Sequence, residues 1–306
     1  MSDSIDIQKL TKLYQGTTSP ALDNLTLRVS PGEVYGFLGA NGAGKSTTIR
    51  LLLNFIQPTS GTASIMGLDI VKDTVAVKKH VGYLSGEIAL WPRVTGNEMF
   101  SYLGKLQFPD QAGDRIRLKT EYLAELIQRF EAEPEKPIGE LSKGNRQKIG
   151  IIQALMHQPD VLILDEPTSG LDPLMQEVFY ATIREASARG AAVFVSSHNL
   201  AEAQRMCDRV GIIKHGRLIH EQSVKNDENL ASTTFRVVLA HPKDADKLRA
   251  NRALKFISHE GHTVVVQPKK TIAEALAVLS TCSITALTTE QLNLEDEFLE
   301  YYGDGA

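Results

Sequence analysis

One stretch constrains this chain more than any other: Gly39-Ala40-Asn41-Gly42-Ala43-Gly44-Lys45-Ser46, followed by Thr47. It comes directly after the apolar run Val34-Tyr35-Gly36-Phe37-Leu38. After it, Ile49, Leu52, Leu53 and Ile56 recur at i, i+3, i+4 and i+7. The order is therefore strand, glycine loop, helix, with the P-loop spacing G-x-x-x-x-G-K-S inside it. Glycines at these places let the backbone curl until several N–H groups face a phosphate chain. The helix N-terminus adds roughly half a positive charge at the same point. Lys45 is placed to reach β- and γ-phosphates, and the Ser46 hydroxyl is placed to ligate Mg²⁺.

Such a unit belongs to an α/β sheet whose ligands sit beyond the carboxyl ends of the strands. Two more apolar runs fit that sheet. Val161-Leu162-Ile163-Leu164 ends in Asp165-Glu166, and Ala191-Ala192-Val193-Phe194-Val195-Ser196 ends just before His198. Continuous apolar character marks strands buried on both faces. Asp165 then stands where a carboxylate serving Mg²⁺ belongs, and Glu166 stands one step nearer a γ-phosphate, where a carboxylate can polarise water. His198 falls beside the same phosphate; a hydrogen-bonded surface histidine is the simpler alternative. Asp172 followed by Pro173 reads as an N-cap with proline at the first helical position, and Gly190 as the stop.

The remaining chain supplies the organisation. Residues 5–30 alternate as strands, with Tyr14 between them on a half-buried face. Residues 57–61 read as a turn, Ala63, Ile65 and Gly67 as a short strand, and His80 to Leu84 as another. A helical pattern from Thr95 to Phe130 places Leu118, Leu123, Leu126 and Ile127 in the core. His215-Gly216 joins two further strands. Residues 223–233 are polar and read as a linker. Residues 234–306 form a small α+β unit, with strands at Thr234–Leu239 and His262–Val266, a turn at Glu260-Gly261, a helix at Thr271–Leu279 and an acidic amphipathic helix from Leu292 to Tyr302. With 306 residues, this gives one large domain (1–222, with a helical insertion at about 87–158) and a smaller one.

Composition narrows the classes. A net charge of −4 provides no global basic field for nucleic acid. Cys207 and Cys282 stand alone, which argues against a disulfide framework or a zinc site. The polar, acidic start lacks the features of a signal peptide. No run reaches the roughly 18–20 apolar residues of a membrane span.

One more loop precedes a helix: Leu141-Ser142-Lys143-Gly144-Asn145, ahead of Ile149, Ile152, Leu155 and Met156. Taken alone it is either a plain helix cap by Ser142 or a second anion site. The ordered set of P-loop, Leu-Ser-Lys-Gly-Asn loop, Asp-Glu strand, Ser169-Gly170-Leu171-Asp172 and strand-His resembles the ATP-binding subunit of ABC transporters over residues 5–222. The resemblance implies a P-loop NTPase core with an antiparallel β subdomain and a helical insertion. It assigns Gly39 to Thr47 to ATP, Tyr14 to adenine stacking, Ser46 and Asp165 to Mg²⁺, Glu166 to the catalytic base and His198 to the γ-phosphate. Ser142, Lys143, Gly144 and Asn145 are assigned to ATP held by a second copy in a head-to-tail dimer, and Asp172 to a loop crossing that interface.

The family's loop usually reads LSGGQ, so Lys143 and Asn145 are departures, in a form that looks like ABC-2-type exporters. A larger departure lies at the start of the helical insertion. The family's glutamine, which links Mg²⁺ and water to the membrane subunit, falls at Gly86, with Glu87 next, so either Glu87 takes over or the coupling runs through backbone and water. Leu294-Glu295-Asp296-Glu297-Phe298-Leu299-Glu300 resembles an ending common in that subgroup. The implied setting is the cytoplasmic face of the membrane, beside an integral permease subunit and without nucleic acid. The alternative is a soluble ABC-type ATPase acting on ribosomes or nucleic acid. A single P-loop and the lack of a sustained heptad tract weigh against it.

Overall fold

The computed structural model describes residues 3–87, 90–107, 114–224, 233–269 and 271–291. The chain divides into two compact units, Met1–Gln222 and Ser223–Ala306.

The first unit opens with β1 (Ile5–Lys12), β2 (Leu22–Val29) and β3 (Val34–Leu38), then α1 (Lys45–Leu52). β4 (Ser60–Ile65), β5 (Leu68–Asp69), α2 (Thr74–His80) and β6 (Val81–Leu84) follow. The helices α3 (Gly96–Gln107), α4 (Asp114–Arg129) and α5 (Lys143–Leu155) come next. β7 (Val161–Asp165), α6 (Pro173–Ala188), β8 (Ala192–Ser197), α7 (Leu200–Met206), β9 (Arg209–Lys214) and β10 (Arg217–Ser223) complete it.

Two sheets result. One is antiparallel, in the order β2-β1-β4-β5; the other has six strands in the order β10-β9-β3-β8-β7-β6. In the larger sheet β9, β3, β8, β7 and β6 pair in parallel. The residue pattern explains the difference. All of β3 and β8, and β7 up to Leu164, are buried, as strands covered on both faces require. β1 and β2 bury alternate residues, and Ile5 and Ile7 lie opposite Val29 and Leu27 on one side and Ile65 and Ala63 on the other.

A single hydrophobic core joins Ile5, Leu27 and Ile65 of the antiparallel sheet to Phe37, Ile163 and Phe194 of the parallel one. Ile49 and Leu52 of α1 belong to it too. The Phe194 ring stacks on Tyr35 at 5.9 Å and meets Phe37 at 5.2 Å. The helix that begins at the glycine loop is thus anchored in the core, which fixes where the loop points.

Several boundaries differ from expectation. α1 stops at Leu52, because the chain turns at Asn54 with φ 51°, and Ile56 packs on the core from a loop. Ser60 and Gly61 belong to β4 rather than to a turn, and Gly67 sits in a turn with Met66 rather than in the strand. The helical stretch is two helices. On the second, the buried face is Tyr122, Leu126 and Phe130, spaced by four, while Leu123 and Ile127 are only half-buried. Aromatic residues take the inward positions because they bury the most area. The Leu118 side chain lies outside the described residues.

The second unit runs β11 (Thr233–Leu239), α8 (Asp244–Ala250), β12 (Leu254–Glu260), β13 (Thr263–Pro268), α9 (Ile272–Leu279) and β14 (Ile284–Gln291). Its antiparallel sheet has the order β12-β13-β11-β14, the split βαβ arrangement. Phe235, Val237, Leu248, Val264, Val266 and Leu279 form its core. α8, β12 and β14 were not foreseen. β12 and β14 are the edge strands, and edges carry weak apolar alternation. The Leu292–Tyr302 helix, the Leu294–Glu300 ending and residues 225–232 of the expected linker lie outside the described residues.

Candidate active site

The glycine loop needs its glycines for two separate reasons. Gly42 and Gly44 adopt φ 80° and 118°, a region that side chains avoid. Gly39 faces β9 so closely that a Cβ would lie 2.6 Å from the Ile213 carbonyl oxygen. The loop delivers Lys45 to the first position of α1, where its side chain is 6% exposed. Its ammonium donates to the carbonyls of Gly39 at 2.6 Å and Ala40 at 3.3 Å. It also stands 3.8 Å from Glu166 Oε1. Burial pushes the Lys45 pKa down, and the negative charges of Glu166 and Asp165 partly oppose the shift.

The two carboxylates at the end of β7 have different partners. Asp165 accepts hydrogen bonds from the Ser196 hydroxyl and, at 3.3 Å, from the Ser46 hydroxyl. Glu166 has φ 48°, a left-handed conformation that is uncommon for a residue with a side chain. That turn swings its carboxylate away from the strand, and His198 Nδ1 meets Glu166 Oε2 at 2.8 Å. Its backbone N–H donates to the Ser196 carbonyl at 3.1 Å and its carbonyl accepts from Ser169 N–H at 3.2 Å.

These groups line one cleft of about 710 Å³. Ala40, Asn41, Gly42, Gly44, Lys45, Ser46, Thr47, Asp165, Glu166 and His198 all face it, as do Gly86 and Glu87. Gly86 passes so close to the Asp165 carboxylate that a Cβ would lie 3.3 Å from its Oδ2. Sequence reading missed Ser85, Ser169, Phe55, Tyr83 and Arg50, which also line the cleft. It also missed the bond from Ser196 to Asp165. Strand ends could have flagged Ser85 and Ser196, because Ser85 directly follows β6 and Ser196 is the penultimate residue of β8 in the same sheet.

Other expected residues lie elsewhere. Tyr14 does not line the cleft; its ring sits 5.4 Å from the Lys12 ammonium and its carbonyl accepts from the Thr17 hydroxyl. Ser142 caps α5 by accepting from Asn145 N–H at 3.2 Å, and the Asn145 amide donates to Glu133 at 3.1 Å. Lys143 extends toward Ser169 Oγ, 3.5 Å away. Asp172 caps α6 by accepting from Met175 N–H at 3.0 Å. Gly39 and Ala43 do not line the cleft: Gly39 packs against Ile213, and Ala43 is buried in the core.

A cleft with a phosphate-facing glycine loop, a buried lysine, a hydroxyl–carboxylate pair and a second carboxylate beside a histidine can bind and cleave a phosphoanhydride. A family model described as ABC transporter matches residues 22–169. An uncharacterized ABC transporter ATP-binding protein from Bacillus subtilis, YhcH, is 32% identical over 99% of this chain and 97% of its own length. The chain belongs to the ATP-binding proteins of ABC transporters. This ATP-binding subunit is also 34% identical to Nod factor export ATP-binding protein I of Paraburkholderia xenovorans, over 71% of the chain and 70% of that protein. The dimeric structure of MJ0796, a bacterial ABC transporter cassette, matches its fold with a TM-score of 0.65 at 23% identity, covering 72% of this chain and 99% of that one. As a member of the family, the subunit binds and hydrolyses ATP. Among the described residues no helix is long and apolar enough to cross a membrane.

Proposed function

We propose that the cleft holds one ATP with Mg²⁺, and that two copies of the subunit close head to tail over two ATP molecules to drive export through a membrane permease. The observation that carries this reading is a division of the residues. Lys45, Ser46, Asp165, Glu166 and His198 converge on one cleft, while Ser142 to Asn145 and Asp172 lie outside it on the same subunit. An isologous pair lets each copy lend those outlying residues to the other's ATP.

Within the cleft, Lys45 pairs with the β- and γ-phosphates and the N–H groups of Gly42 to Thr47 cradle them. The Ser46 hydroxyl and the Asp165 carboxylate are hard oxygen donors 3.3 Å apart, a set that suits Mg²⁺. Among the described residues no group of three or more His, Cys, Asp or Glu side chains could hold a metal, so nucleotide phosphates complete such a shell. When bound, the ion neutralises charge on the phosphates. Glu166 takes the proton of the attacking water as its oxygen bonds to the γ-phosphorus and the bridge to ADP breaks. His198 holds the Glu166 carboxylate in place and faces the γ-phosphate. Tyr14 is proposed as the adenine platform, brought over the cleft when nucleotide binds. ATP stabilises the closed pair because its γ-phosphate touches both copies, and hydrolysis removes that differential contact.

Gly86 has no side chain to take part, so coupling to the permease is assigned to the neighbouring Glu87, which lines the same cleft. Export is supported by the named function of the Paraburkholderia relative. The subunit itself would sit on the cytoplasmic face, held there by the permease. The test is co-purification of tagged Glu166→Gln protein with ATP in mild detergent. A polytopic membrane protein in the eluate is expected; ribosomes or nucleic acid without one would overturn the transport reading.

A further inference from the structure

Two loops given separate duties above touch each other inside one subunit. The Gln147 amide, buried in α5, donates to the Pro167 carbonyl at 2.5 Å. Gly144 lies so near Gly170 that a Cβ on it would be 3.0 Å from the Gly170 oxygen. A Cβ on Gly170 would in turn lie 3.4 to 3.5 Å from Cγ, Cδ and Cε of Lys143, so the lysine stem runs along that glycine. The ammonium ends 3.5 Å from Ser169 Oγ, and Ser169 lines the nucleotide cleft. The first turn of α5 therefore rests on residues 167–170, immediately after Glu166.

Lys143 is an odd choice for helix stability. It is the first residue of α5, where the helix dipole disfavours a cation, and the first turn holds no acidic residue to offset it. Its stem and ammonium are explained by the contact with the Ser169-Gly170 loop instead. Lys45 and His198 both face the Glu166 carboxylate, and the turn joining the Glu166 carbonyl to Ser169 N–H connects that residue directly to the one Lys143 reaches.

We propose that Lys143 is a positioning residue that ties the Ser142–Asn145 turn to the loop after Glu166 of its own subunit. ATP occupancy of one cleft then sets the orientation of the surface that completes the other. This rests on the reading of Ser142 to Asn145 as contacts to the partner copy's ATP.

The test is steady-state ATP hydrolysis by the full chain carrying Lys143→Met, Lys143→Arg, Ser169→Ala, or Lys143→Met with Ser169→Ala. Methionine keeps the apolar stem and removes only the ammonium; thermal melts establish that each variant is folded. Lys143→Met is expected to lower kcat about 3- to 10-fold and to move the Hill coefficient for ATP toward 1, and Lys143→Arg to restore both. The double variant should be no slower than the worse single one, because the two residues act through one contact. Parent-like cooperativity in Lys143→Met, or losses that multiply in the double variant, overturns the Lys143 link. The underlying reading is tested apart, by light scattering of Glu166→Gln with ATP. A monomer there overturns the partner-copy reading and with it the passage of information between clefts, whereas multiplying losses in a protein that does dimerise overturn the link alone.

Discussion

Two helices of the first unit begin with a lysine beside a glycine, and they treat it in opposite ways. α1 starts at Lys45 behind Gly44, which has φ 118° and gives no side-chain cap. α5 starts at Lys143 behind Ser142, whose hydroxyl caps the Asn145 N–H. At α1 the glycine leaves the helix-end donors open to a ligand, and the lysine folds back over the Gly39 and Ala40 carbonyls, almost fully buried. At α5 the serine already satisfies a donor, and the lysine lies exposed along a neighbouring loop. The first lies in the cleft with carboxylates of its own chain and is proposed to hold phosphate; the second lies outside that cleft and is proposed to complete the site of a second copy. Similar local sequence gives different chemistry because the surroundings differ. α1 points at the ends of β7 and β8 with their carboxylates and histidine, and α5 does not.

The comparison breaks most sharply at Glu166, the group only the α1 site has. Glu166→Gln should slow ATP hydrolysis by about 10²- to 10⁴-fold, the usual worth of a general base, while leaving nucleotide binding in place. Single-turnover hydrolysis and a nucleotide titration read the two effects separately; near-parent turnover would remove Glu166 from the role. Lys45→Ala comes next. Losing a charge-assisted bond to phosphate should raise the nucleotide Kd by about 10- to 100-fold. An unchanged Kd would show that the backbone N–H groups alone hold the phosphates.

How much of this was legible in the sequence follows the same division. Gly39 to Thr47, Asp165, Glu166 and His198 were readable because apolar strands ending in polar residues predict where a parallel sheet presents them. Their mutual bonds were not readable. Nothing in the order of residues says that His198 reaches Glu166, or that Ser196 reaches Asp165, since both depend on the register of β7 against β8. The role of Lys143 was hidden for the same reason. Its partner Ser169 is 26 residues away, and only the packing of α5 on the 167–170 loop unites them. In the second unit, β11, β13 and α9 announced themselves through apolar periodicity, whereas α8 and the edge strands β12 and β14 are too exposed to leave that signature.

Exchanging the caps sharpens the contrast on a smaller scale. Ser142→Ala removes the donor's partner at α5 and should cost about 1 kcal/mol in a denaturant titration, with Ser142→Gly costing only a few tenths. At α1 the preference inverts. Gly44→Ala should destabilise by more than Ser142→Ala does, since it places a Cβ at φ 118° and 2.9 Å from the Ala21 carbonyl. Equal costs at the two positions would mean that the glycine loop relaxes freely, against the close packing around it.

The finest expectation concerns the proton on Lys45. Burial holds the Lys45 pKa of the free subunit below the ordinary lysine value of about 10.4. Between those two values the unfolded chain binds more protons than the folded one, so the nucleotide-free subunit gains stability as pH rises through that window. ATP has the opposite effect on the lysine, because phosphate charge beside the ammonium raises its pKa. Over the same alkaline window ATP binding therefore takes up a fraction of a proton, and affinity falls as pH increases. Calorimetric titration in two buffers with different ionisation enthalpies measures that uptake directly. The parent protein should give a positive uptake that Lys45→Met abolishes. If the uptake survives in Lys45→Met, the proton belongs to another group in the cleft, and the burial of Lys45 is not what tunes it.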